Sequence, residues 1–136
     1  MSLTYKRIPS SEVSPELVRA ANEAARDAAW DLGLGKMRVQ WFKPDSGEPT
    51  AGWFDERWPD VIHISERWAR DNGLEQTRAA IYHECRHAWQ EKPARHMRFD
   101  GYGRAGERED DANSYAYKKT GTVLNVSNWF DNRKYY

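Results

Sequence analysis

The sequence predicts an α+β domain, a small mixed sheet packed on a backing helix with two further helices behind it. Three observations carry this. An Ala-rich helical stretch follows Ser14-Pro15, short aromatic and β-branched runs lie between residues 37 and 64, and two helical patterns follow Leu74. The 136 residues suit a single domain with one hydrophobic core, most of it expected between about residues 14 and 120.

Residues 1 to 13 read as an extended lead-in. Ser14 stands at the N-cap of a helix, with Pro15 at the first helical position, where its missing N–H costs nothing. Leu17, Val18, Ala21, Ala24, Ala25, Ala28 and Ala29 recur near helical spacing, and Gly33 and Gly35 end the run. So small a face implies close packing against another element. Met37 to Phe42 reads as a strand, Pro44-Asp45-Ser46-Gly47 as a turn, and Gly52-Trp53-Phe54 as a short strand. Val61 to Ile64 is the clearest β-run, with His63 read as a structural histidine. Ser65 to Arg70 reads as a short helix ending at Asn72-Gly73. The next helix runs from about Leu74 to Lys92 and stops at Pro93. Its Leu74, Thr77, Ile81, Cys85 and Ala88 form one stripe, separate from the stripe bearing His83 and His87. One face is therefore expected in the core and the other on a cleft. Cys85 reads as an apolar filler and Arg86 as solvent-facing. A loop with Gly101, Gly103 and Gly106 leads to a helix from about Glu107 to Lys119, and Val123-Leu124 reads as a strand.

Composition narrows the function classes. Lys+Arg and Asp+Glu number 21 each, so no overall field attracts a polyanion, and no nucleic-acid partner is expected. No apolar run approaches the roughly 20 residues of a membrane span, so no membrane association is expected. Met1 to Arg7 lacks the apolar core of a signal peptide. The single cysteine, Cys85, rules out an intrachain disulfide. The expectation is a soluble chain in the cytoplasm, with release by lysis or unconventional secretion left open.

The chemistry lies in His83-Glu84-Cys85-Arg86-His87, an H-E-x-x-H. Positions four apart on a helix lie one turn apart on one face, so both imidazoles can reach one ion. Glu84 then lies beside a water on that ion and is the expected general base. Catalytic zinc takes three protein ligands and keeps one position for water. Pro93 stands where a G-x-x-H continuation would place a third histidine, and His96 falls off that spacing. Glu109 is the leading third ligand. It shares a helix face with Ala112, Asn113 and Ala116, whose two alanines would admit a close neighbour. Asn113, one turn on, is placed to hydrogen-bond a ligand from behind. Asp110, Asp111 and Asp100 stay open as alternatives. Tyr102, in its glycine-rich loop, and Tyr115 are the candidates for stabilising an oxyanion.

His83-Glu84-x-x-His87, followed after a glycine-rich loop by Glu109-x-x-Ala112-Asn113-x-x-Ala116, resembles the gluzincin branch of the zincin metallopeptidases. The likeness is greatest to small cytosolic and phage-associated members, the minigluzincins and the ImmA type. These carry an E-x-E-A-D/N-x-x-A helix after H-E-x-x-H, and here Asp111 stands in place of the second Glu. The resemblance spans about residues 14 to 120, with specificity in about eight motif positions. It implies a zincin-like fold and one Zn2+ held by His83, His87 and Glu109. It also implies hydrolysis of a protein or peptide substrate by a metal-activated water with Glu84 as base. Asp100-Gly101-Tyr102-Gly103 and Asp111-Ala112-Asn113-Ser114-Tyr115 are also similar to aspzincins, whose third ligand is an Asp. Two other readings stand beside it: a SprT-like nucleic-acid-associated protease, disfavoured by the neutral charge, and a non-catalytic metal-binding or regulatory module of the same fold.

Overall fold

Local signals resolve into four helices and one four-stranded sheet in the computed structural model, which describes residues 5–44, 51–91 and 105–124. The strands are β1 (Tyr5–Ile8), β2 (Arg38–Pro44), β3 (Gly52–Phe54) and β4 (Val61–Ser65). The helices are α1 (Pro15–Leu32), α2 (Glu66–Asn72), α3 (Leu74–Gln90) and α4 (Ala105–Thr120). The architecture is thus α+β, as expected.

α1 buries the small face read from its alanines: Leu17, Ala21, Ala24, Ala25, Ala28, Ala29 and Leu32. The Ser14 side chain makes no capping bond; backbone closes the first turn, Val18 N–H donating to Ser14 O at 3.0 Å. At the other end Gly33 adopts φ 66°, the left-handed region that glycine enters without a Cβ penalty. Leu34 N–H then reaches back to Ala29 O at 2.8 Å and closes the helix.

The sheet order is β1-β2-β4-β3. The extended lead-in includes β1, which pairs antiparallel with β2. β2 and β4 are parallel because the chain first crosses to the far edge as β3 and returns as β4 through the slot between. Among the described strands β3 therefore lies at an edge. Neighbouring side chains on a strand face opposite ways. Trp41, Ile62 and Ile64 accordingly join the core, while Phe42 and His63 meet Trp53 and Tyr5 in an aromatic cluster. His63 stacks on Trp53 at 4.9 Å and on Phe42 at 5.1 Å, with Nδ1 at 3.3 Å from Trp53 O. Burial lowers its pKa below 6.5, so it packs as a neutral ring at pH 7. The structural reading of His63 stands.

Ser65 caps α2, its Oγ accepting from Trp68 N–H at 3.2 Å. Gly73 both ends α2 and starts α3. α3 is the central helix, packed chiefly on α4 and α1. Thr77, Ile81, Cys85 and Ala88 are buried as the stripe predicts, but Leu74, in the first turn, is exposed. Burial pushes the Cys85 thiol well above its ordinary range and leaves it un-ionised. Residues 123–124 form no strand. Leu124 tucks into the core and Val123 faces outward, its carbonyl accepting from Gln76 Nε2 at 2.9 Å. A single core-seeking Leu anchors this stretch without a ladder.

Ile81 lies wholly buried in this core. Ile81→Ala should cost about 2–5 kcal/mol, read as a lower denaturant midpoint in equilibrium unfolding. A change below about 1 kcal/mol would contradict the packing described.

Candidate metal centre

The second face of α3 builds the centre. His83 and His87 are one turn apart, and their Nε2 atoms lie 3.1 Å from each other. α4 supplies the third group. Its fully buried Ala112 and Ala116 let the backbones approach, and polar ties fix the register. Arg86 Nε and Nη2 donate to Asp111 Oδ2 and Oδ1 at 2.7 and 3.2 Å. Gln90 Nε2 donates to Arg108 O and Asp111 Oδ2, each at 2.9 Å. So held, Glu109 places Oε2 at 2.9 Å from His83 Nε2 and Oε1 at 3.0 Å from His87 Nε2. His83, His87 and Glu109 form a group that could hold a metal ion.

The donor set fits such an ion. Tetrahedral zinc with bonds of about 2.0–2.1 Å separates its ligand atoms by about 3.3 Å, so the observed triangle needs only slight expansion. Two imidazole nitrogens facing each other at 3.1 Å also need a shared cation or a proton between their lone pairs and the carboxylate. Burial lowers the His87 pKa, but the Glu109 hydrogen bond and the Glu84 and Glu109 charges outweigh it and raise the value to about 9. For Glu109, burial raises the pKa, but the hydrogen bonds to His83 and His87 outweigh it and hold it well below the carboxylate range. Without metal, a proton on His87 serves as the cation. Glu84 is buried beside the group, its Oε2 at 3.8 Å from His83 Nε2. Burial raises its pKa, with the imidazoles opposing.

A cleft of about 260 Å³ opens onto the centre. Gly52, Trp53 and Phe54 of edge strand β3 line one side, with Glu84, His87 and Glu109 facing them. A Cβ on Gly52 would lie 2.6 Å from His63 O and 3.7 Å from Glu84 Cγ. Glycine is what lets β3 lie this close to the backbone of β4.

The structure brings together His83, Glu84, His87 and Glu109. It does not bring in the other acids of α4: Asp110 is exposed, and Asp111 is held by Arg86 and Gln90. Arg86, expected in solvent, also lies over the Trp89 ring at 3.8 Å. Tyr115 points away from the cleft, its hydroxyl donating to Asp31 on α1 at 2.8 Å, so it is not placed to meet an oxyanion there. Asn113 is buried on α4. Asp100, Tyr102 and His96 lie outside the described residues. Sequence reasoning missed Gln90, although it sits three residues beyond His87, on the same helix face. No protein-family model matches the chain, and no curated protein or solved structure matches it. No described helix is long and apolar enough to cross a membrane.

His87 has a folded pKa raised from 6.5 to about 9. Its pairing therefore contributes fully below pH 6.5 and is lost as pH rises through 9. In chelator, the thermal midpoint should fall between pH 6.5 and 9, and His87→Gln should flatten that decline. A wild-type midpoint constant over this window would contradict the pairing. Gly52→Ala should cost about 1–3 kcal/mol, because the new Cβ meets backbone rather than a yielding side chain. Unaltered stability by chemical denaturation would show that β3 lies farther out.

Proposed function

We propose that this chain is a zinc-dependent endopeptidase of zincin-like architecture, acting on a protein or peptide. The observation that carries the proposal is the convergence of two imidazoles and the Glu109 carboxylate on one point, with the buried Glu84 beside it and strand β3 across the cleft. His83, His87 and Glu109 would hold the ion. Bound zinc supplies Lewis acidity, bringing the pKa of a water toward neutral.

The chain's own residues do the rest. Glu84 accepts the proton of the attacking water and passes it to the leaving amine nitrogen, so one carboxylate serves as base and then acid. Burial raises its pKa, which favours that second role. Among the described residues β3 pairs only with β4, so its outer backbone edge would be available to an extended peptide. Pairing there would lay a scissile bond along the cleft beside Glu84. An adjoining cavity of about 360 Å³, walled by Leu34, Met37, Pro59 and the shared Phe54 and edged by Lys36, Glu56, Asp60 and Glu91, offers a mixed recess beside it.

Glu84→Gln removes the proton carrier but none of the proposed ligands. It should lower hydrolysis of a generic protein such as casein by about 10²–10⁴-fold while zinc content stays at one ion per chain. Full activity in that variant would overturn the mechanism. Zinc retained with no cleavage in the wild type would instead favour a binding module.

A further inference from the structure

The amide of Gln90 sits at a junction that the proposed chemistry does not use. Gln90 is almost wholly buried in the last turn of α3. Its Nε2 faces two groups that can only accept, Arg108 O and the Asp111 carboxylate, each at 2.9 Å. A flipped amide would set its oxygen against both of them. The orientation is therefore determined, and Oε1 is the atom presented to His87 Nδ1 at 2.8 Å. An acceptor there requires Nδ1 to carry hydrogen. In a neutral imidazole that leaves the Nε2 lone pair turned toward His83 and Glu109.

Two further layers hold this arrangement. Arg86 grips Asp111 through both carboxylate oxygens and lies over the Trp89 ring, so the acceptor that orients Gln90 is itself fixed. Arg108, whose carbonyl takes the other amide hydrogen, immediately precedes Glu109 and pairs with Glu91 at 3.2 Å. One side chain thus ties the ring of one proposed ligand to the backbone beside the next.

We propose that Gln90 is a positioning residue for the metal group: it holds His87 with hydrogen on Nδ1 and fixes α4 so that Glu109 meets the same point. This rests on reading His83, His87 and Glu109 as the metal ligands, and not on catalysis.

The test compares the full-length wild type with Gln90→Met, of similar length but unable to hydrogen-bond. Zinc affinity is measured by competition with a chromophoric chelator, and the His87 ring by 15N–1H imidazole spectra, with and without zinc. The wild type should show a slowly exchanging Nδ1–H on His87. Gln90→Met should lose that resonance and bind zinc about 10–100-fold more weakly, with unchanged helical content. If Gln90→Met fails to fold, Asp111→Asn carries the test, since a weaker anchor for Gln90 should still reduce zinc affinity about 3–10-fold. A merely structural Gln90 would lower the melting temperature and leave zinc affinity and the Nδ1–H signal unmoved, which would overturn the proposal. So would a wild-type His87 without hydrogen on Nδ1. If the wild type takes up no zinc, the metal reading fails, and metal-free spectra taken well above pH 9, where the ring is neutral, still decide whether Gln90 sets it.

Discussion

The close contact of α3 and α4 is the constraint on which the rest of the centre depends. His83 and His87 follow from helical spacing alone, but a third donor 2.9–3.0 Å away must come from another element. Ala112 and Ala116 remove the bulk that would hold α4 off, and Arg86–Asp111 and Gln90 lock its register. A bulky residue at either alanine would disturb both the core and the centre, because interiors are packed tightly enough to transmit such a change. Packing and site geometry are the same fact viewed from two sides.

This arrangement carries an electrostatic cost that a positive charge would offset. Glu84 is a buried carboxylate and Glu109 a part-buried one beside two imidazoles, a grouping that burial alone disfavours. A shared cation relieves it. A proton on His87 does so when no ion is bound, and the same geometry could hold a divalent ion with little movement. The polar framework is directional as well: Gln90, held by Asp111, keeps hydrogen on His87 Nδ1, so that in the neutral ring the Nε2 lone pair faces inward. On the opposite side Tyr82 and Tyr115 donate to Asp27 and Asp31 and tether α1 to α3 and α4. The central helix is thus braced on both flanks.

Much of this was legible from the residues. The H-E-x-x-H spacing, the alanines around Glu109 and the separate stripe of Ile81 and Cys85 all follow from a period of 3.6, which sequence displays directly. What stayed hidden depends on contacts distant in sequence. The pairing of β1 with β2 and the Tyr115–Asp31 bond leave no local trace. Arg86 looked solvent-facing because its partner lies 25 residues on. Asp111 looked like a ligand alternative because acid type alone does not tell a metal ligand from an ion-pair partner. Gln90 left a weak signal, its spacing from His87, but a Gln near the end of a helix is an ordinary surface residue until its burial is known. Val123-Leu124 has strand-like residues, yet one buried Leu answers their hydrophobic demand.

The most direct measurement of the central claim is anomalous diffraction at the zinc edge from crystals of the full chain grown with zinc. One peak is predicted, about 2.0–2.2 Å from Nε2 of His83, Nε2 of His87 and a carboxylate oxygen of Glu109. A peak held by Asp111 or another acid instead of Glu109, or no peak from crystals grown with excess zinc, would contradict the account.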